Sequence, residues 1–444
     1  MKNIIAKIAA PNNGIKLSIF RILFGLIIFW EFGQLCLWKN VGEYKFINTV
    51  VHFKYPFFSW VKQLPDEFMN VLFFVGVILS ILFILGAYYK YVSVLLFVLY
   101  SYLVLIDISY WNNHYYFYML ILFLFIFSNA NYRLSIDKKR KKELTSPQNW
   151  NLWIMCFTVI VVLFYGAISK LNNPDWFSGL TCYHLISNRF TELNISISED
   201  SIRTLSLVTT WFGFLFDLLI GFVLLRSKWF IPAILAFLIF NISNMFLFHI
   251  GSFPFAMIGT LALFIPNKYL TKKKDEEDVQ NTSKYYLIQK HKVIIVLFVA
   301  AQILIPLRHF FIQGNVLWTG EGKLGSWHMM SASVDINANT FFMEIYDDEN
   351  QIVGHETIST DLYLNKDQKR TLGKFPFTIK QFSDFASKEL EIDGYHNFAI
   401  FPDVFIGRNG RTPKPIIGRK TNLRKVVYSP FKHNDWILLY ADTE

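Results

Sequence analysis

Residues 68–86 read FMNVLFFVGVILSILFILG and contain no charged side chain. An α-helix needs about 20 predominantly apolar residues to cross the hydrocarbon core of a bilayer. Similar apolar runs recur along the chain, in which hydrophobic residues make up 53% and charged residues only 17% of 444 positions. We therefore predict a mostly α-helical, polytopic membrane protein.

The apolar runs predict about nine transmembrane helices, which together make residues 1–308 a transmembrane domain. Pro232, Gly251 and Pro254 interrupt the run at 229–266, which is compatible with two short helices or one broken helix. The nine predicted spans are 17–38, 68–86, 91–107, 113–130, 150–171, 205–225, 229–248, 250–266 and 292–308.

Basic residues collect in the loops that nine helices would place on one side. These clusters are Lys90, 133–142, Arg226 with Lys228, and 268–292. Because positive loops face the cytoplasm, we expect the C-terminal part outside it. The net charge of +10 then reflects loops near anionic lipid, and we expect no nucleic-acid partner. The stretch 271–284 is predicted to be a solvated loop.

Residues 309–444 are predicted to form a small extracytoplasmic α+β domain on the outer helix ends. Apolar and polar residues alternate around Thr340–Tyr346, which is typical of a half-buried strand, and turn residues follow at 347–350. Residues 379–390 have the spacing of an amphipathic helix.

Three polar clusters lie at predicted helix ends, where ionisable groups are often functional. The first is 107–114, the second surrounds Lys170, and the third is 248–254 with Asn241 nearby. Interfacial Trp and Tyr residues, and a lysine reaching toward water, would be simpler explanations. However, the first two clusters fall on the same predicted side, and the third joins them if 229–266 forms two helices.

Lys170 and His114 are the candidate catalytic residues. A lysine acts as a base only in its neutral form, which desolvation favours. A histidine beside the amides of Asn112 and Asn113 can hold an anion or CO2, or relay a proton. A hydroquinone, which is lipid-soluble and weakly acidic, could reach such a site from the bilayer. The three cysteines show no metal-ligand spacing, so we predict no metal site.

Short motifs follow one another in a distinctive order: WNNH at 111–114, SKL at 169–171, SWHMM at 326–330 and YSPF at 428–431. In this order, and over about residues 17–436, the chain resembles the vitamin K-dependent gamma-carboxylase family and its bacterial HTTM-domain relatives. Each motif alone would be a weak signal. Their order on a matching hydropathy profile makes the resemblance specific.

The resemblance implies a reaction. In the family, a lysine that matches Lys170 deprotonates reduced vitamin K, and O2 then turns the quinol into a strong base. That base removes a γ-proton from a protein glutamate, and the carbanion adds CO2, while the quinone ends as its epoxide. A histidine that matches His114 is assigned to the carbanion or CO2 step. Asn113 is expected to hold the quinone or the reacting groups.

The resemblance also implies the other components of the site. Reduced vitamin K, as phylloquinol or menaquinol, would be the cofactor, with O2 and CO2 as co-substrates. The expected partners are the lipid bilayer, the hydroquinone and a glutamate-containing protein or peptide. The residues expected to bind substrate or quinone, besides Asn113, are Asn112, Trp111, Trp327 and His249.

Two departures from the family pattern leave the acceptor open. The family has a histidine near Asn241, and a tyrosine often occupies the position of Gly325. Quinone activation is therefore better supported than glutamate handling. The alternatives are a quinol epoxidase that acts on a different acceptor, and a non-catalytic membrane protein that binds lipid or a partner.

Overall fold

A computed structural model describes residues 7–141, 143–171, 173–248, 250–270, 288–329 and 334–440. His249 and the predicted loop 271–284 lie outside these residues, so their predicted roles stay predictions. Ten helices of at least 12 residues precede the sheet within the described part of the chain. They are α1 (Ile15–Cys36), α2 (Asp66–Leu85), α3 (Tyr89–Ile106), α4 (Asn113–Phe127), α5 (Asn149–Ile168), α6 (Leu180–Glu192), α7 (Glu199–Leu224), α8 (Phe230–Leu247), α9 (Phe253–Phe264) and α10 (Ile288–Leu307).

Six of the described helices are long and apolar enough to cross a membrane, and the chain is an integral membrane protein. These six are α2, α3, α5, α7, α8 and α10, while α4 and α9 are apolar but shorter. A helix occurs at each of the nine predicted places, and α6 is an additional helix in the predicted loop 172–204. The predicted number of nine transmembrane helices is therefore not confirmed, although the helical class is.

The outward faces of these helices are apolar, as lipid contact requires. Ile78 of α2, Val98 of α3 and Ile239 of α8 are each more than half exposed. The inward faces instead form one continuous aromatic and aliphatic core, in which Phe20, Phe83 and Phe125 are fully buried. The bundle therefore has its most apolar surface where a water-soluble protein would have polar side chains.

Two of the predicted cytoplasmic loops meet at one end of the bundle. The Asp137 carboxylate accepts hydrogen bonds of 2.9 Å from the backbone N–H groups of Tyr88 and Tyr89. Arg21 of α1 is fully buried there and donates to the carbonyl of Ala130 at 2.8 Å. The loops that follow α2 and α4 therefore share one end, and the polar clusters lie toward the other.

The C-terminal part contains β1 (Val334–Tyr346), β2 (Ile352–Ser359), α11 (Lys366–Lys374), α12 (Phe377–Ile392), β3 (Phe398–Arg408) and β4 (Lys414–Pro415). Its strands form an antiparallel sheet of order β2-β1-β3-β4. The predicted strand and amphipathic helix are both present and both longer than predicted, as β1 and α12. Phe341 and Met343 of β1 pack with Phe382 of α12 and Ile400 of β3 in the sheet's own core.

The sheet part docks on the bundle through the segment between α1 and α2 and the turn between α3 and α4. Phe53 and Ile108 are fully buried in the sheet's core rather than in the bundle's. Asn365, which caps α11, donates to the Tyr110 hydroxyl at 2.9 Å, and Gln381 of α12 accepts from the Lys54 N–H at 2.7 Å. This contact places the sheet at the bundle end that carries the polar clusters.

Candidate active site

All three predicted polar clusters contribute to one cavity of about 180 Å³ at this end of the bundle. Asn112, Asn113 and His114 come from the start of α4, and Lys170 comes from the turn after α5. The third cluster joins them because 229–266 forms two helices, α8 and α9, with Pro254 in the first turn of α9. Phe248, Ile250 and Phe253 line the same cavity.

Lys170 is held by the helix end that precedes it. Helix α5 ends at Ile168, and the Lys170 N–H continues the turn by donating to the Ala167 carbonyl at 3.0 Å. The Lys170 side chain is only 3% exposed, and its Nζ lies 4.8 Å from the centre of the Trp176 ring. The lysine therefore does not reach out to water, as a snorkelling lysine would.

The buried carboxylate of Asp217 pairs with this lysine, and it was not among the predicted site residues. Asp217 of α7 is 6% exposed, and its Oδ2 lies 2.6 Å from Lys170 Nζ. Isolation of either charge in the bundle would be strongly destabilising, whereas the pair compensates both. Asp217 is the only charged residue in the apolar run 205–225, and the tendency of intramembrane acids to be functional would have identified it.

His114 lies in the first turn of α4 and is 7% exposed. Its ring packs on Phe253, with centroids 6.1 Å apart, and edge-on against Tyr115 at 4.3 Å. The ring faces the same cavity as Lys170. The two predicted catalytic groups are thus brought to one space from helices far apart in the sequence.

Asn113 connects this cavity to the SWHMM segment. Its Nδ2 donates to the His328 carbonyl at 2.9 Å, and the His328 Nδ1 lies 2.7 Å from Ser326 Oγ. Burial, with the nearby His309, Lys323 and Lys170, lowers the pKa of His328 to about 2. The His328 ring is therefore neutral in any physiological solution.

His328 and Met329 line the cavity as well, and neither was among the predicted site residues. Their position in the SWHMM motif was the sequence feature that could have identified them as site residues.

Two of the predicted binding residues lie beside the cavity rather than in its wall. Trp327 is fully buried and packs on Tyr116, with ring centres 5.0 Å apart. Its carbonyl accepts a 3.4 Å hydrogen bond from Ser169, the residue before the lysine. Trp111 packs against Tyr55 and Tyr116 and lines a different cavity. Both tryptophans are placed to position neighbouring groups.

The two departures from the family pattern have distinct environments. Asn241 is 3% exposed, lines the cavity, and donates from Nδ2 to the Phe237 carbonyl at 2.9 Å. Gly325 has φ of +74°, and a Cβ built there would lie 3.0 Å from Ile305. A tyrosine at position 325 would therefore be strained, and the loop here follows a path that suits glycine.

Asp175 ties the lysine side of the cavity to the sheet. It lies in a short helix, Pro174–Phe177, where it accepts a 3.0 Å hydrogen bond from Asn409 and forms an ion pair with Arg411. Trp176 is thereby held over the Lys170 ammonium. Within the described residues, no three His, Cys, Asp or Glu side chains come together as a metal site would require.

Two family models match this chain. The HTTM domain family model matches residues 10–269, which carry Lys170, His114 and Asp217. The model of the vitamin K-dependent gamma-carboxylase lumenal domain matches residues 288–443, which carry the SWHMM segment and the sheet. No solved structure matches the chain. These two matches cover nearly the whole sequence, and the protein belongs to the vitamin K-dependent gamma-carboxylase family of HTTM-domain proteins.

Proposed function

We propose that this membrane protein carboxylates glutamyl residues, using reduced vitamin K or menaquinol, O2 and CO2, with epoxidation of the quinone. The observation that carries the proposal is the buried Lys170–Asp217 pair in one cavity with His114. Family membership supports this reaction class, and the geometry supports the proposal because it brings an amine, a carboxylate and an imidazole to one cavity.

The residues of the cavity fit a quinol. Leu163, Phe240 and Met257 offer apolar walls for a ring and its side chain, while Asn113 and Asn244 offer amides to hydroxyl groups. Bound reduced vitamin K would supply an acidic hydroxyl and, with O2, a base strong enough for a glutamate γ-carbon. The chain itself needs to bind the ring, orient it and accept its proton.

We assign Lys170 and Asp217 to proton acceptance. With one proton between the amine and the carboxylate, the pair is neutral overall whichever atom carries it. When that proton resides on Asp217 Oδ2, Lys170 Nζ is a neutral amine and can take a proton from a quinol hydroxyl. The resulting ammonium then stabilises the negative oxygen left on the quinol.

We assign His114 and Asn113 to the acceptor side of the cavity. His114 packs on the rings of Tyr115 and Phe253 and reaches the cavity from α4, whereas Lys170 follows α5, so we assign His114 to holding a carboxylate or CO2. Asn113 is fixed by its bond to the His328 carbonyl. Asn112, the preceding residue, offers a second amide. Trp111 and Trp327 lie beside the cavity, where we expect them to position these residues.

The experiment that tests the function measures incorporation of labelled CO2 into a glutamyl peptide by purified protein in detergent. We expect incorporation with reduced vitamin K and O2, and none when the reduced quinone is omitted. Equal incorporation without the quinol would contradict the proposal. Epoxide formation without any incorporation would favour the second candidate, a quinol epoxidase with a different acceptor. The presence of Asn241 where the family has a histidine is the observation that favours this second candidate.

Substitution His114→Ala should separate the two half-reactions. We expect it to lower CO2 incorporation by about 10²-fold, the typical contribution of a positioned acid or base, and to change epoxide formation much less. His355→Ala is the matched control, because His355 is exposed on β2, away from the cavity. Equal loss of both activities would move His114 to the quinone step.

We propose a division at about residue 308, with the second domain and the cavity on the extracytoplasmic side of a bacterial inner membrane. A phosphatase reporter that requires export should therefore be active when fused after Glu444. The same reporter fused to a chain truncated after Lys141, in a basic loop, should be inactive. Activity in the reverse pattern would overturn the proposed orientation.

A further inference from the structure

A second cavity, of about 470 Å³, lies between the helix bundle and the sheet and has no role in the proposed reaction. Phe97 of α3, Leu120 of α4 and Ile305 of α10 form its bundle side. The loop 320–325 and the segment 428–431 form the opposite side. The cavity thus extends from apolar helices of the bundle to the C-terminal domain.

The polar end of this cavity is cationic. Arg308 and Lys323 line it, and no described lining residue is acidic. Arg308 donates from Nη2 to the Leu324 carbonyl at 2.6 Å, while its Nε is buried with no partner among the described residues. Burial, then Arg408 and Lys374, lowers the pKa of Lys323 to about 7. An anion would supply the missing counter-charge.

The rim of the cavity is aromatic. Phe57 and Phe431 are 65% and 72% exposed, and their ring centres lie 5.4 Å apart. Exposed aromatic side chains at the end of a helix bundle are typical of the level of lipid headgroups. A ligand seated here would therefore have its charged group near this level and its apolar part beside α3, α4 and α10.

We infer that this cavity binds an anionic phospholipid, with its phosphate against Lys323 and Arg308 and an acyl chain along α3, α4 and α10. A zwitterionic headgroup would place a third cation near the other two. An acidic peptide would satisfy the charges, but it would leave the wall of Phe97 and Leu120, on two apolar helices of the bundle, without an apolar partner of suitable length.

The lipid site borders the active cavity through one loop. Ser326 Oγ donates to the Lys323 carbonyl at 2.6 Å and lies 2.7 Å from His328 Nδ1. Lys323 faces the lipid cavity, and His328 faces the active cavity. The proposed lipid site and the active cavity therefore share one loop, whatever the acceptor of the reaction is.

The test measures phosphatidylglycerol binding to the purified full chain by native mass spectrometry, with zwitterionic phosphatidylcholine as the comparison. We expect phosphatidylglycerol to bind at least about fivefold more tightly, and millimolar inorganic phosphate to leave it bound. Lys323→Gln should remove this preference. Lys388→Gln, on the exposed face of α12, removes the same charge elsewhere and should retain it.

A second variant tests the acyl-chain end independently of charge. Leu120→Trp should fill the apolar part and weaken binding of phosphatidylglycerol, with thermal unfolding in lipid-free detergent confirming that each variant is folded. Equal affinity for the two lipids, or an unchanged preference in Lys323→Gln, would overturn the inference. Displacement of the lipid by inorganic phosphate, or one-for-one by a glutamyl peptide, would overturn it too.

Discussion

Lys170→Ala is expected to reduce conversion of vitamin K hydroquinone to its epoxide by about 10³-fold or more. A positioned base typically contributes 10²–10⁴-fold to the reaction rate. We assign that role to Lys170 Nζ in the wall of the cavity. The measurement is epoxide formation under oxygen by purified protein in detergent. CO2 incorporation into a glutamyl peptide should fall in parallel, because it depends on the same proton removal.

Two further variants make the interpretation specific. Lys170→Arg retains the charge beside Asp217, but a guanidinium does not release its proton near neutrality, so it should also be inactive. Lys90→Ala removes an exposed lysine at the opposite end of the bundle and should leave turnover unchanged. Normal epoxide formation by Lys170→Ala would remove the base assignment.

Asp217→Asn is expected to destabilise the protein by about 3–5 kcal/mol, which is the range for removal of one partner from a buried ion pair. The Lys170 ammonium would be left 3% exposed without its counter-charge, or would have to lose its proton to remain buried. The free energy of unfolding, measured by titration with denaturing detergent in mixed micelles, should show this loss.

A paired substitution separates stability from chemistry. Lys170→Met combined with Asp217→Leu replaces both charges by apolar side chains of similar size, and buried pairs replaced in this way often regain stability. We expect the double variant to unfold near the native midpoint and to remain inactive in epoxide formation. If Asp217→Asn alone were as stable as the native protein, the pair would not hold the bundle together as the structure implies.

Helical class and the second domain could be predicted from local pattern. The charge-free run 68–86 became α2 (Asp66–Leu85), and the alternation at 340–346 became part of β1 (Val334–Tyr346). The additional helix α6 was not predicted, since Leu180–Glu192 is polar enough to resemble a loop. The number of membrane crossings could not be established either, because α4 and α9 are short and α1 contains Lys16, Arg21 and Glu31.

The candidate site was predicted only in part. Lys170, His114 and the amides of Asn112 and Asn113 were chosen from their unusual position at helix ends, and the structure places all four at one cavity. Asp217 was missed although its charge within an apolar run was a usable signal, whereas its pairing with Lys170, 47 positions away, could not be predicted from local sequence. Trp111 and Trp327 were grouped with the site, but sequence order does not indicate which side of a wall a ring occupies.

By itself, the sequence determined that the chain crosses a membrane and carries a small sheet domain, and its ordered motifs indicated the family. Hydropathy and charge placement are local properties, so a linear reading suffices for them. Only the tertiary structure decided that Lys170 is paired with Asp217, that α8 and α9 close the cavity, and that a cationic second cavity shares a loop with it. Those facts depend on distances between segments remote in the chain, which packing sets and no local pattern encodes.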